Sequence, residues 1–290
     1  MRLEKETGSS IRYRVSFRSA LDTGHPENST VIGDYYRPKT ATAAPFLILT
    51  HGMGDFSVIP CTLMARKFVT QGVACFVPRL SIHSNRLPAA MKPSMPYLSP
   101  DDWFSVYRTS VVDIRQIVDW AESRQEIATG KQYVLGISFG GFVSAIAMGV
   151  DDRIQAGILI VTGGNANKLS RLNKEGKYRK RYMRTEEEHR RVMDNYREYL
   201  KRVKELGFEN ADTDDKSFLT DPLTFAPYLR DRSVLMINAE KDKYIPRECV
   251  TDLWEAAGKP EIQWYPSGHV TLWFKYHSIY RTIHSFLSSL

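Results

Sequence analysis

The 290-residue sequence contains little cysteine and no long hydrophobic run. Its three cysteines, Cys61, Cys75 and Cys249, lie far apart and match neither the spacing of zinc ligands nor that of a disulfide framework. We therefore expect buried free thiols and no metal ion. No stretch reaches the roughly 18 apolar residues that a membrane-spanning helix needs. The first residues also lack the apolar segment of a signal peptide, so the sequence predicts a cytoplasmic protein without stable membrane insertion.

The positive charge of the chain is concentrated in one segment. The formal net charge is +7, and the segment 168–206 alone contains fourteen Lys and Arg against seven Asp and Glu. The remainder of the chain is therefore balanced. Because nucleic-acid binding would need further motifs that are absent, we expect no nucleic-acid partner. The charge belongs to a local element and not to the fold as a whole.

Buried strand patterns alternate with helical patterns along most of the chain, which predicts an α/β fold with a mostly parallel central sheet flanked by helices. The segment 165–231 interrupts this rhythm. Within it, Thr185 to Glu188 form a capping box, and an apolar stripe follows until Gly207 ends the helix. We therefore predict a core of residues 1–164 and 232–290, with residues 165–231 inserted after the sixth strand as a basic helical lid.

The sequence around Ser138 predicts a nucleophile elbow. A short β-type run leads into Gly136-Ile137-Ser138-Phe139-Gly140, and a helix-compatible stretch follows at once. The sharp turn would force unusual backbone angles on Ser138 and lift its hydroxyl clear of the sheet. Gly136 and Gly140 are needed because a side chain there would collide with the neighbouring strand or helix. Such a motif also occurs by chance, so it needs an acid, a base and an oxyanion loop beside it.

Candidates for the acid and the base follow the last two predicted strands. Catalytic groups collect at the carboxyl ends of parallel strands, and Asp242 lies just past the strand 234–239. Glu240, two residues closer to the strand, is the alternative acid. His269 is the one histidine of seven that follows the last strand within a Gly-His pair, on a loop that can reach back over Ser138. The chain order Ser138, Asp242, His269 is the order found in the elbow-bearing hydrolase fold.

An oxyanion loop is predicted at His51-Gly52-Met53-Gly54, which follows a buried strand expected two places from the elbow strand. The glycines allow close backbone approach, so the N–H groups of Met53 and Phe139 could converge on a developing alkoxide. His51 is expected to brace this loop and not to act as a base. We also expect substrate contacts, and the candidates are His51, Gly52, Arg79 and Tyr244.

With these motifs in order, the sequence resembles the α/β-hydrolase superfamily over nearly its whole length except the lid. The motifs are His51-Gly52, the stretch Gly136 to Gly141, the Asp242 loop followed by Pro246, and Gly268-His269. Within the superfamily it is similar to dienelactone-hydrolase-like and acetyl-esterase-like branches. Dienelactone hydrolases carry a cysteine nucleophile, whereas this chain has Ser138, which favours esterase chemistry. The resemblance implies a Ser-His-Asp triad, an acyl-enzyme intermediate, a small-molecule ester substrate and no metal or organic cofactor.

Three alternatives remain open at this point. The chain could be an inactive binding protein that kept the fold. It could be a lipid- or thioester-directed hydrolase, because Lys177 to Tyr182 interleave basic and aromatic residues that suit anionic headgroups. Lid cations could instead select acidic substrates with help from Arg79 or Arg86. The apolar stripe of the lid helix could pack on the core or on a second subunit, which makes a homodimer through the lid a further expectation.

Overall fold

The computed structural model of this chain describes residues 1–81, 83–89, 91, 98–173 and 184–290. Within these ranges nine strands form one sheet: β1 Arg2–Glu6, β2 Ser10–Arg18, β3 Thr30–Pro38, β4 Ala44–Thr50, β5 Ala74–Pro78, β6 Ile127–Ile137, β7 Ile154–Ile160, β8 Ser233–Ala239 and β9 Glu261–Tyr265. The same ranges contain these helices: α1 Val58–Phe68, α2 Pro100–Glu122, α3 Phe139–Val150, α4 Ala166–Leu172, α5 Glu186–Leu206, α6 Pro222–Phe225, α7 Arg247–Ala256 and α8 Tyr276–Ser288.

The sheet is mostly parallel, as the alternation of strands and helices predicted. Its strand order is β1-β2-β3-β5-β4-β6-β7-β8-β9. The pairs from β5 to β9 are all parallel, whereas β1, β2, β3 and β5 pair antiparallel at one end. Since every parallel strand runs in the same direction, their carboxyl ends lie along one edge of the sheet. The predicted elbow, acid and base all follow strands that end at this edge.

Two predictions about the sheet were wrong. Strand β1 (Arg2–Glu6) was missed because it lies at the sheet edge and is mostly exposed, with Leu3 56% accessible, so it carries no buried apolar pattern. The insertion therefore follows the seventh strand and not the sixth. Strand β4 was expected two places from the elbow strand, yet it pairs directly with β6, with Thr50 opposite Gly136. The two strands are adjacent because β5 pairs with one edge of β4, on the side of β3, and the other edge of β4 pairs with β6.

Helices cover both faces of the parallel part of the sheet. Alternate strand residues such as Phe46, Ile48 and Val134 pack under α2, α3 and α7, and the intervening residues such as Leu47 and Leu135 pack under α1 and α8. A 3-10 turn at Thr271–Lys275 precedes the last helix, α8. In the part of the chain that the structure describes, no helix is both long enough and apolar enough to cross a membrane.

The apolar side of helix α5 packs on other residues of the inserted segment. Helix α5 begins at the predicted capping box, in which the Thr185 hydroxyl and the Glu188 carboxylate satisfy each other's backbone N–H groups. Its apolar stripe buries Tyr196, Tyr199 and Val203 against a neighbouring 3-10 turn, and the rings of Tyr196 and Phe218 stack with centroids 4.6 Å apart. This part of the stripe is covered by the chain itself. The basic and aromatic run Lys177 to Tyr182 lies outside the described residues.

Asp221 anchors the insertion to the carboxyl edge of the sheet. Its buried carboxylate accepts hydrogen bonds from the backbone N–H groups of Asn165 at 2.9 Å, Ala166 at 2.5 Å and Leu223 at 2.9 Å. Burial raises the pKa of Asp221, and these N–H groups oppose that rise. The carboxylate thus joins the start of α4, the first helix after β7, to α6, the last α-helix before β8. Both ends of the insertion are fixed at one point.

The long loop after β5 is held by a buried ion pair. Arg86 is 1% exposed, and its Nη1 lies 2.7 Å from Oδ2 of Asp113 on α2. Its guanidinium also donates to the backbone oxygens of Arg79 at 2.9 Å and Asn28 at 3.2 Å. The Ser19 hydroxyl donates to the other oxygen of Asp113 at 2.7 Å. The suggestion that Arg86 selects acidic substrates is therefore wrong, because its charge is already neutralised in the interior.

We expect Asp113→Ala to destabilise the protein by about 3–5 kcal/mol, because it leaves the Arg86 guanidinium buried without its counter-ion. Asp119→Ala on the same helix is the control. Asp119 is 61% exposed and pairs with Arg153 at the surface, so its loss should cost less than about 1 kcal/mol. Urea denaturation followed by circular dichroism measures both. Equal costs for the two substitutions would contradict the assignment of the Arg86 pair as a buried anchor.

Candidate active site

Ser138 sits in a strained turn between β6 and α3. Its backbone angles are φ 52° and ψ −117°, a combination that residues other than glycine rarely adopt. The Ser138 N–H donates to the Ile160 carbonyl at 2.8 Å, and the Ser138 carbonyl accepts the first helical N–H, from Phe142, at 3.1 Å. These bonds hold the turn from both sides. The predicted unusual backbone of the elbow is therefore present.

The glycines around Ser138 allow the backbones of β6, α3 and the neighbouring strand β4 to come into contact. A Cβ on Gly136 would overlap the Gly140 carbonyl, and a Cβ on Gly140 would overlap the carbonyl of Thr50 at the end of β4. A Cβ on Gly141 would overlap the Thr162 hydroxyl after β7. Each position thus has a neighbour that leaves no space for a side chain. The steric reason for the Gly-x-Ser-x-Gly-Gly sequence is visible in these contacts.

Ser138, His269 and Asp242 form a continuous chain of hydrogen bonds. His269 Nε2 lies 3.0 Å from Ser138 Oγ, and His269 Nδ1 lies 2.7 Å from Asp242 Oδ2. An ionised carboxylate only accepts, so Nδ1 carries the proton and donates it to Asp242. Nε2 is then the acceptor for the Ser138 hydroxyl. The His269 side chain is 16% exposed and that of Asp242 is 5% exposed, so the carboxylate is shielded while the imidazole stays accessible.

The backbone that follows β8 decides between the two candidate acids. Asp242 Oδ1 accepts from the N–H groups of Tyr244 at 2.8 Å and Ile245 at 2.9 Å, which directs Oδ2 at the imidazole. Glu240 still belongs to the edge of the sheet, where its N–H donates to the Tyr265 carbonyl at 2.9 Å, and the residue is exposed. The structure therefore brings Asp242 to His269, and not Glu240.

The loop after β4 approaches the serine from the other side. A Cβ on Gly52 would lie 3.5 Å from Ser138 Cβ and 3.4 Å from the Ile137 carbonyl, so Gly52 adjoins the turn. Met53 follows it directly, and Phe139 is the first residue of α3. The N–H groups of a helix's first turn have no acceptor within the helix, and they lie at the positive end of its dipole. The two predicted oxyanion donors thus belong to segments that flank Ser138.

An aromatic cluster that was not predicted surrounds Phe139. The ring centroids of Tyr107, His83 and Trp103 lie 5.2, 5.7 and 6.3 Å from that of Phe139. Burial raises the pKa of Tyr107, and the Asp221 carboxylate adds to this, so the phenol stays protonated. The i, i+4 spacing of Trp103 and Tyr107 on α2 was a usable sequence signal for one aromatic face. Its contact with Phe139 depended on how α2 packs against α3.

The residues predicted to contact substrate have different surroundings. The Tyr244 ring lies beside His269, with centroids 5.1 Å apart, and Gly52 adjoins Ser138. His51 is 1% exposed, and both of its ring nitrogens make backbone contacts, with Gly52 O at 2.8 Å and Leu80 N at 3.2 Å. Arg79 is drawn into an ion pair with the buried Asp34 on β3 at 3.5 Å. These contacts show that His51 supports the loop and Arg79 pairs with the sheet, and contacts of either residue with substrate stay a prediction.

Other reactive groups of the described chain are isolated. Cys61, Cys75 and Cys249 are buried free thiols, as expected, and burial raises the pKa of each. Among the residues that the structure describes, no three His, Cys, Asp or Glu side chains group together in a way that could hold a metal ion. Among the described residues, the hydrogen-bonded chain at Ser138 is therefore the candidate reactive site at this edge of the sheet.

A strained serine between a strand and a helix, on a mostly parallel sheet flanked by helices, defines the α/β-hydrolase fold. The chain belongs to the family described as alpha/beta hydrolase domain containing 18, whose family model matches residues 3–217 and 218–287. These two ranges together cover nearly the whole chain, the insertion included.

Individual proteins resemble this chain more distantly. An uncharacterised protein of Mycobacterium tuberculosis (strain ATCC 25618 / H37Rv) is 26% identical over 231 residues, which cover 78% of this chain and 49% of that protein. The quorum-quenching protein AidA of Acinetobacter baumannii is 27% identical over 142 residues, 48% of this chain and 42% of that protein. The chain thus spans about half the length of the curated relatives it matches. The acetyl xylan esterase from Paenibacillus sp. R4 superposes with a TM-score of 0.71 at 20% identity, covering 98% of this chain and 87% of that one, which shows the shared fold.

The strain at Ser138 leads to a stability prediction. Ser138→Gly should be more stable than Ser138→Ala by about 1–2 kcal/mol, because both lose the hydroxyl but only glycine accepts φ 52° without strain. The control is Ser144, a buried residue inside α3, where glycine should be less stable than alanine. Denaturant unfolding of the four variants gives both differences. The same sign at the two positions would contradict the strained turn.

Proposed function

We propose that this chain is a serine hydrolase that cleaves carboxylic esters through Ser138, His269 and Asp242. The observation that carries the proposal is the unbroken chain of hydrogen bonds from Ser138 Oγ through His269 to Asp242 at 3.0 and 2.7 Å. A serine hydroxyl is a weak nucleophile until an adjacent base removes its proton. Here the proposed base, His269, lies within hydrogen-bond distance of Ser138, and the buried carboxylate of Asp242 fixes the tautomer of its imidazole.

In the proposed first step, Ser138 Oγ attacks the ester carbonyl and its proton moves to His269 Nε2. The imidazolium that forms is stabilised by Asp242, whose second oxygen is held by the backbone of Tyr244 and Ile245. The carbonyl oxygen becomes an oxyanion, for which Met53 and Phe139 are the proposed N–H donors. Collapse of the tetrahedral intermediate expels the alcohol, which takes the proton from His269. An acyl group remains on Ser138.

The second step of the proposed reaction repeats the first with water. His269 Nε2 removes a proton from water as the water oxygen attacks the acyl carbon, and the same two N–H groups again receive the oxyanion. Ser138 then leaves with the proton that His269 returns, and the carboxylic acid is released. All proton transfers pass through one nitrogen, so no other acid or base is needed. We propose a small-molecule ester as the substrate, and the proposed mechanism requires no cofactor.

Two further points support an ester as the substrate class. The family membership and the fold are those of α/β-hydrolases, and a structural neighbour with the same fold is an acetyl xylan esterase. His269, the group proposed to protonate the leaving alcohol, has 16% of its side chain exposed, and Ser138 is also only half-buried. The lipid- and thioester-directed alternatives depended on the run from Lys177 to Tyr182, which lies outside the described residues.

Hydrolysis of nitrophenyl acetate, butyrate and octanoate by the full chain tests the proposal. We expect Ser138→Ala and His269→Ala to lower kcat/KM by at least about 10⁴-fold, and Asp242→Ala by about 10³- to 10⁴-fold. Glu240→Ala is the matched control for the acid, because it removes a nearby carboxylate that does not reach His269. It should leave kcat/KM unchanged. Circular dichroism melting verifies that each variant is folded.

Two outcomes would contradict this proposal in different ways. Wild-type turnover by Ser138→Ala would remove the serine from the mechanism. A folded wild-type chain that hydrolyses none of the three esters would favour the alternative of an inactive binding protein. If Glu240→Ala were as damaging as Asp242→Ala, the acid would be reassigned while the hydrolase proposal stayed intact.

A further inference from the structure

The peptide unit between Gly52 and Met53 is anchored by two side chains. The Gly52 carbonyl oxygen accepts from Ser57 Oγ at 2.5 Å and from His51 Nδ1 at 2.8 Å. His51 Nδ1 also lies 3.1 Å from Ser57 Oγ, so the imidazole N–H is shared between the carbonyl and the hydroxyl. Both donors come from the residues immediately around the loop. They converge on one oxygen atom beside Ser138.

The second ring nitrogen determines the protonation of His51. The Leu80 N–H, just after β5, donates to His51 Nε2 at 3.2 Å. Nε2 must therefore be unprotonated, and the single ring proton lies on Nδ1, where it faces the Gly52 carbonyl. The ring is 1% exposed, so it is locked in this orientation. It connects the loop to the end of the neighbouring strand.

Fixing the Gly52 oxygen also fixes the Met53 N–H. The carbonyl and the N–H of a trans peptide unit lie in one plane and point in opposite directions. Hydrogen bonds that hold the oxygen on one side therefore aim the N–H to the other side. Donation to the carbonyl also polarises the amide, which strengthens its N–H as a donor. Gly52 borders Ser138, so the aim of this one peptide matters at the nucleophile.

Ser57 ties the chain on the other side of Met53 as well. Its hydroxyl proton is shared with the Gly54 carbonyl, and its N–H donates to the same carbonyl at 3.0 Å. Gly54 has φ 89°, a left-handed conformation that turns the chain sharply and suits glycine. The carbonyl groups of Gly52 and Gly54, which flank Met53, thus both accept hydrogen bonds from Ser57. Ser57 belongs to no recognised catalytic motif. Its place just before α1 therefore gave no signal in the sequence for a role at this site.

We infer that Ser57, together with His51, is a positioning residue that orients the Met53 N–H toward the oxyanion formed at Ser138. This inference rests on the proposed hydrolase function, since it needs an oxyanion to stabilise. Ser57 does not touch the reacting atoms. It acts through the Gly52–Met53 peptide, so its loss should weaken binding of the transition state and leave binding of the ester in its ground state unchanged.

The test compares Ser57→Ala with Ser57→Thr, which keeps the hydroxyl, in the full chain. Active-site titration with a fluorophosphonate first counts the competent Ser138 in each preparation. We expect Ser57→Ala to lower kcat per titrated site by about 10- to 100-fold with little change in KM, and Ser57→Thr to retain most of the rate. The Ki of a trifluoromethyl ketone, whose carbonyl becomes an oxyanion when Ser138 Oγ adds to it, should rise by a similar factor.

Ser123→Ala is the matched control, because Ser123 Oγ likewise caps a backbone carbonyl, that of Trp120, at 2.6 Å, but at the far end of α2. It should change neither kcat nor Ki. A wild-type kcat per titrated site in Ser57→Ala, or an unchanged ketone Ki, would overturn the inference and leave the hydrolase proposal intact. A wild-type chain with no titratable Ser138 would overturn both together.

Discussion

The close approach of three backbone segments at Ser138 is the constraint on which the site depends. The end of β4, the turn after β6 and the first turn of α3 meet at distances that leave no space for a Cβ on Gly136 or Gly140. At this contact the φ of Ser138 is 52°, and its hydroxyl lies 3.0 Å from His269 Nε2. Such strain costs on the order of 1–3 kcal/mol, which the buried sheet around it must offset. The same contact brings Gly52 beside Ser138.

Much of this arrangement could be predicted because its causes are local in sequence. The glycines at 136 and 140 specify a turn by their lack of a side chain. The capping box at Thr185 specifies a helix start by hydrogen bonds within four residues, and the structure contains it. Asp242 and His269 were placed by one rule, that functional groups follow the carboxyl ends of parallel strands, and they lie 2.7 Å apart.

What could not be predicted depends on which distant elements become neighbours. Strand β4 was assigned the wrong place because strand order is set by crossovers that no local pattern encodes. Arg79 and Arg86 looked like loop cations, but each pairs with an aspartate on another element, Asp34 and Asp113. The aromatic rings around Phe139 come from α2 and from the loop after β5. In each case the sequence shows the strand or side chain but not the distant element that it contacts.

Covalent labelling tests whether Ser138 is an activated nucleophile. The folded 290-residue chain is treated with a fluorophosphonate, and the modified peptide is identified by mass spectrometry. We expect one adduct per chain, on Ser138, forming much more slowly in His269→Ala because the base that takes its proton is gone. An unlabelled Ser138 in folded protein, or equal labelling rates with and without His269, would show that His269 does not activate Ser138.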